Sequence, residues 1–382
     1  MQGSVRQRGN KWYYRYRDID GKLIERVGGL TKKEAQKKLT EAINRLNTGF
    51  STPNEILLKN YLIQWLDEYV KPSNSDNTYD VYKRIIIKRI IPSIGSVRLC
   101  DLKSYHIQTF INTSRKIKKK NGESISETTL QKYYGVINTA LNRAVKLQLI
   151  YQNPCSFVDT PKRNRFKSNY LSITEYKVIY NSLNEKNYDD YIFKLALNLT
   201  IETGLRRGEM CGLCWDDIDF DNKTITVSRC LKRIENNYNI GDTKTHTERI
   251  LPISDLLINQ LKKHLILQKE NRLKYGNFYT KNFFNNIEYN LLFTKENGEY
   301  ITPSRFLQRL KRKCTKNNIN KNIRWHDLRH TNATFLIQQG VNMKIIQERL
   351  GHANFSTTAD IYSHVSTDMS RVATDKLLEI LK

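Results

Sequence analysis

Hydrophobic periodicity changes twice along the 382 residues, and each change calls for a separate core. In residues 12–17, Trp12, Tyr14 and Tyr16 alternate with Tyr13, Arg15 and Arg17, the two-residue period of a strand with unlike faces. From about 59 to 157 the apolar positions recur at helical spacing. From 168 to 382 helical stripes mix with short β-rich runs. A multidomain chain follows: a small β-sheet plus one helix over 1–50, an all-α domain over 59–157, and a mixed α/β, mainly α, domain over 168–382.

Local signals support each part. Asp20-Gly21 is a hairpin turn and Leu23 to Val27 the returning strand. Thr31-Lys32-Lys33-Glu34 is a capping box. The helix it opens carries Ala35, Leu39, Ala42, Ile43 and Leu46 on one face, with Gly49 suited to its end. Residues 51–58, with a Thr-Pro-Asn turn, are a linker. The helical part has four stripes: Tyr61, Leu62, Trp65 and Tyr69; Tyr79, Tyr82, Ile86 and Ile90; Ile107, Phe110 and Ile111; and Leu130, Tyr134, Ile137, Leu141 and Ala144. Asn153-Pro154 closes it. The basic loop from Arg115 through Lys118-Lys119-Lys120 to Asn121-Gly122 has two readings, a solvated loop or a grip on phosphates. A second basic linker, Lys162 to Lys167, leads to another capping box, Ser172-Ile173-Thr174-Glu175. Thr224 to Leu231 and Arg249 to Ile253 have the pattern of strands in one small sheet.

Charge narrows the partners. Lys and Arg total 64 against 38 acids, a net charge of +26. Such an excess costs self-repulsion unless a polyanion relieves it. Nucleic acid is the first candidate and an anionic membrane surface the second. Residues 1–50 alone hold 12 Lys and Arg against 5 acids. A two-stranded ribbon fits the DNA major groove, and the face with Arg15 and Arg17 suits that use. No run approaches the roughly 20 apolar residues of a membrane span. The first 16 residues lack the apolar stretch of a signal peptide, so a cytoplasmic protein is expected. Cys211-x-x-Cys214 is a lone pair inside a helical pattern, and neither a disulfide framework nor a metal site is expected.

The chemistry lies in an ordered set of residues. Thr203-Gly204-Leu205-Arg206 is followed by Lys244 between two threonines, then His326-Asp327-Leu328-Arg329, then Gly351-His352 and finally Tyr362. Singly, each has a plain reading: a surface arginine, an exposed turn lysine, a capping histidine, one of 22 tyrosines. His326 and Arg329 share a helix face. Together the set suits phosphoryl transfer. Two guanidiniums can neutralise the oxygens of a phosphorane. A phenol can attack as covalent nucleophile. A lysine can protonate a leaving oxygen and a histidine can carry the phenol proton. Asp216, Asp217 and Asp219 fall in a turn and are assigned to turn and cap roles, not to magnesium.

This order closely resembles the tyrosine recombinases, also called phage integrases, from about residue 59 to the end. The resemblance implies that Arg206 and Arg329 clamp the scissile phosphate and that Lys244 is the general acid for the 5′-hydroxyl. It implies that His326 accepts the tyrosine proton, that His352 hydrogen-bonds the phosphate and that Tyr362 is the nucleophile. Lys223 and Lys232 are rivals for the role of Lys244. Residues 1–50 resemble, more loosely, the arm-site-binding domain of phage and conjugative-transposon integrases. Residues 59–157 would then be the core-binding domain and 168–382 the catalytic domain. The implied activity is site-specific recombination through a 3′-phosphotyrosine on double-stranded DNA with core and arm sites, with no cofactor. A homotetramer on paired sites is implied, and an excisionase or a DNA-bending host protein as a further partner. The alternatives are type IB topoisomerase-like cleavage and a non-catalytic DNA-binding regulator. After Tyr362, the apolar positions Val372, Ala373, Leu377, Ile380 and Leu381 predict a tail helix from about 367, docked either on its own domain or on a neighbouring protomer.

Overall fold

A computed structural model of the chain describes residues 3–18, 21–47, 56–119, 122–162, 169–234, 237–242, 248–352 and 355. Asp20, Gly49, the turn at 52–54, Lys120 and Asn121, most of the second linker, Lys244, Tyr362 and the tail lie outside the described residues. The chain divides into two compact units, residues 1–165 and 166–382.

The first unit opens with a three-stranded antiparallel sheet in the order β1 (Gly3–Arg8), β2 (Lys11–Arg17), β3 (Leu23–Gly29). Alternation along β2 turns Tyr14 and Tyr16 toward the helix Lys32–Asn47, where they meet Leu39 and Ala42. Two close approaches set this packing. A Cβ on Gly28 would lie 2.3 Å from that of Ala35, and one on Gly3 would lie 2.4 Å from Leu39. The capping box is displaced by one residue. Thr31 accepts from the Glu34 N–H at 3.2 Å, but the Glu34 carboxylate accepts from Leu30 at 3.0 Å. The outer face carries exposed Arg6, Arg8, Arg15 and Arg17 around half-buried Tyr13.

The helical part of this unit has its own core, from Leu58 to Val158. Two of its helices contain a π turn just before a proline. Leu58–Trp65 passes through Leu66–Val70 into Lys71–Ser73, which holds Pro72. Asp76–Ile85 passes through Ile86–Ile90 into Ile91–Ile94, which holds Pro92. Proline has no N–H and its ring strikes the carbonyl four residues back, and the wider turn relieves that clash. Ser104–Lys116 and Glu127–Lys146 complete the bundle. Asn153 ties its end, donating to both Asn138 and Asn142 at 2.7 Å.

The second unit is built around the helix Tyr188–Thr203, whose Ile192, Phe193, Leu195, Ala196, Leu197 and Leu199 are buried. It packs on Trp325–Gln338, with Phe193 edge-on to Trp325, and on Asp255–Tyr275. The Ser172 capping box closes in both arms, at 3.1 and 2.7 Å. The run Thr224 to Leu231 is two strands, not one. β5 (Thr224–Val227) lies between β4 (Ile218–Asp219) and β8 (Arg249–Pro252), whereas β6 (Arg229–Ile234) pairs with β7 (Asn237–Asp242) in a separate hairpin. Among the described residues, no helix is long and apolar enough to cross a membrane.

Candidate active site

Three chain turns converge in the second unit. At the first, the helix Tyr188–Thr203 ends on Gly204 in the left-handed region, φ +67°. A side chain there would also collide with Leu350, 2.3 Å from the would-be Cβ. Buried Leu205 anchors the turn, and Arg206 caps the short helix Arg207–Cys211. The Arg206 N–H donates to Glu209 Oε2 at 2.9 Å. Its guanidinium donates to Glu209 Oε1 at 2.7 Å and to the Gly351 carbonyl at 2.9 Å.

The second turn starts the helix Trp325–Gln338. Buried Trp325 anchors it, and the Asp327 carboxylate accepts from the Arg324 N–H at 2.8 Å. One face then presents His326 and Arg329. Arg329 is 1% exposed. It donates to the Gly204 carbonyl at 2.9 Å, to His352 Nε2 at 3.2 Å and to the Leu350 carbonyl. The third turn is the end of Met343–Leu350 at Gly351, φ +64°. Its carbonyls form the negative end of a helix, a natural seat for two cations.

Electrostatics tie the groups together. Burial, then the Arg206 charge, brings the Arg329 guanidinium down to about 9. Burial, His330 and Arg329 bring His326 down to about 4. Burial, Arg329 and Arg206 bring His352 down to about 3. Both imidazoles are therefore neutral at pH 7. His352 uses Nε2 as an acceptor, which leaves its proton on Nδ1. The His326 ring lies edge-on to His330, 5.2 Å between centroids.

Of the six residues singled out in the sequence, the structure brings Arg206, His326, Arg329 and His352 into one cluster. Lys244 and Tyr362 are outside the described residues. Of the rival lysines, exposed Lys223 is paired with Asp255 at 2.6 Å, and Lys232 lies in β6 opposite Asn239. Asp217 caps Cys214 at 2.8 Å and pairs with Arg229, while Asp219 accepts from Asp221 and Asn222, as turn and cap residues do. Cys211 and Cys214 are buried, and burial pushes the Cys214 thiol up to about 11. Two participants escaped the sequence reading. Glu209 is 2% exposed and sits between Arg206 and Arg249. The i, i+3 spacing of Arg206 and Glu209 was the available signal for the first of these pairings. Burial would raise the Glu209 carboxyl, but the hydrogen bonds and charge of Arg249, with the charge of Arg206, bring it down to about 2.

Comparison with known proteins gives the family. Residues 169–369 match the phage integrase family, and residues 57–114 match the N-terminal SAM-like domain of phage integrases. A XerC-like tyrosine recombinase of Caldanaerobacter subterraneus subsp. tengcongensis is 31% identical, over 98% of this chain and 97% of its own length. The integrase of Staphylococcus phage L54a is 27% identical over 91% of this chain and 99% of its own. Among solved structures, the Tn1549 transposon integrase in complex with a circular intermediate DNA superposes with a TM-score of 0.69 at 22% identity. That match covers 84% of this chain and 99% of the other. A lambda integrase dimer bound to a core site gives 0.60 at 18% identity, covering 94% and 93%. The family match spans more than half of the chain and one relative aligns along nearly all of it: the chain belongs to the phage integrase family, the tyrosine recombinases.

Proposed function

We propose that this recombinase cuts and rejoins double-stranded DNA through a 3′-phosphotyrosine at Tyr362, with Arg206 and Arg329 clamping the scissile phosphate. The observation that carries the assignment is the convergence of Arg206, Arg329, His326 and His352 from three distant chain turns into one cationic cluster. The arginines are anchored on carbonyls before any substrate arrives, so little reorganisation is needed as charge builds on the phosphorane. Neutral His326 has a lone pair free to take the phenol proton. Lys244 is the general acid for the departing 5′-oxygen, and His352 hydrogen-bonds the scissile phosphate. Energy stored in the ester drives rejoining, so neither a metal nor a nucleotide cofactor enters the reading.

Residues 1–50 are assigned to arm sites, 59–157 to the core site and 168–382 to catalysis, on a homotetramer assembled on paired sites. An excisionase or DNA-bending host protein would set direction. Support comes from the net charge of +26 and from the exposed arginines of the N-terminal sheet. The test is a suicide substrate in EDTA. Wild-type protein should form a covalent adduct, and Tyr362→Phe should bind the same DNA and form none. An adduct in the variant would move the nucleophile elsewhere. Tyr191 and Tyr300 would come next, although burial raises both phenols.

A further inference from the structure

Arg206 has two anchors, the Glu209 carboxylate and the Gly351 carbonyl, and one side chain braces both. Arg249, at the start of β8, donates to Glu209 Oε2 at 2.6 Å and to Oε1 at 3.3 Å. Its aliphatic stem and guanidinium also lie against Gly351. A Cβ added at Gly351 would sit 3.5 Å from both Arg249 Cδ and Nη1. The Arg249 side chain is 11% exposed, and its Nε is buried with no hydrogen-bond partner among the described residues. In sequence it follows Lys244 by five residues.

Glu209 is a buried anion between two cations. With Arg249 present, the carboxylate is shared, and Arg206 keeps most of its positive charge for a substrate phosphate. Without Arg249, the same buried carboxylate would have Arg206 as its remaining close cation. A buried anion stripped of one partner binds the other more tightly, because no water replaces the loss. Arg206 would then be neutralised by the protein rather than by the phosphate. We infer that Arg249 is a positioning residue for the cleavage step: it draws off the charge of Glu209 and braces Gly351, so that the Arg206 guanidinium stays available to the scissile phosphate. This inference rests on the assignment of Arg206 as a phosphate clamp.

The experiment measures the rate of covalent adduct formation on a suicide substrate and, separately, the affinity for the same DNA. Wild-type protein and Arg206→Ala are run alongside. If wild type forms no adduct, or Arg206→Ala cleaves normally, the underlying assignment fails first. Given that assignment, Arg249→Met should slow cleavage by roughly 10- to 100-fold, in the range of a small misplacement of a catalytic group, and leave DNA affinity near wild type. Arg249→Lys keeps the charge and should lose less than about threefold, since a lysine can still neutralise the carboxylate as a point charge. Glu209→Gln combined with Arg249→Met removes the stranded anion and should recover much of the rate lost by Arg249→Met alone. A brace acting only through packing predicts the opposite, with the double variant no better than the single one. That result overturns the inference, as does wild-type cleavage by Arg249→Met, or an Arg249→Lys variant as slow as Arg249→Met. Should Arg249→Met fail to bind DNA, the lysine and double variants decide the matter by the same comparison.

Discussion

Arg329 makes three hydrogen bonds from inside the protein, and no other cation can repeat them. Its planar fork meets the Gly204 and Leu350 carbonyls and His352 at once. A lysine offers one ammonium and would leave buried acceptors unmet, at a cost of about 1–3 kcal/mol each. Arg329→Lys should therefore both lower stability and slow adduct formation by about 100-fold or more. A normal cleavage rate with an unchanged unfolding midpoint would refute this. The histidines give a second prediction. His264 and His352 are brought to about 4 and 3, chiefly by burial, and His330 and the more exposed His326 are lowered too. In the unfolded chain they take up protons near 6.5. Their contribution to stability is full above pH 6.5 and is lost as pH falls toward their folded values, because only the unfolded state binds the protons. Glu209, at about 2 when folded, adds its loss only below the ordinary glutamate range. Urea midpoints should therefore fall from pH 7 to pH 5, with unfolding at pH 5 taking up about two to three protons. High salt screens the general repulsion of so basic a chain but leaves this uptake in place. Equal midpoints at pH 7 and pH 5 in high salt would refute the assignment.

At the scale of elements, the site hangs on two left-handed glycines, each ending one helix where another begins or packs. Gly204→Ala would force a positive φ on a residue with a Cβ and press it into Leu350, whose carbonyl holds Arg329. Strain and overpacking together predict a loss of about 2–4 kcal/mol and a matching drop in cleavage. Chemical denaturation checks the first and adduct rates the second. Elements set by local chemistry were legible in the sequence. The Ser172 box closes as its residues prescribe, because cap and N3 lie three residues apart and need nothing else. The stripe of Leu130, Ile137, Leu141 and Ala144 is buried as its spacing implies. What was not legible depends on distant partners. Thr224 to Leu231 holds no glycine or proline to mark a break, and the different partners of β5 and β8, and of β6 and β7, show where it divides. The pairing of Glu209 with Arg249 likewise has no local signal, because the two lie forty residues apart and meet only in the fold. The π turns ahead of Pro72 and Pro92 were also missed, since a proline in a helical pattern can equally kink or end the helix.

For the whole molecule, charge and division into parts act together. The outer face of the N-terminal sheet holds Arg6, Arg8, Arg15 and Arg17, and only part of that charge is matched: Arg6 meets Glu25 at 2.7 Å, while Arg15 donates to neutral Ser4. The Tyr16, Leu39 and Ala42 core lies on the other face, so this basic face is not needed to hold the sheet together. A surface of this kind contributes to DNA binding mainly by releasing counterions, and its signature is salt dependence. The residues proposed for catalysis, from Arg206 to Tyr362, lie wholly downstream, in a stretch that matches the family without residues 1–50. Deleting residues 1–50 should therefore leave cleavage of an isolated core site close to wild type. Affinity for DNA that also carries distal repeats should drop to the core-only value. The slope of log affinity against log salt on the longer DNA should flatten by roughly 3–4, about 0.9 for each arginine withdrawn from a phosphate. Binding isotherms on core-only and repeat-bearing DNA at several salt concentrations measure both effects. If full-length and truncated proteins bind the two DNAs with equal affinity and equal slope, the sheet is a stabilising appendage and its assignment to arm sites is wrong. If core cleavage itself collapses on truncation while core binding persists, the N-terminal part takes part in catalysis, and the boundary proposed at residues 51–58 does not separate function.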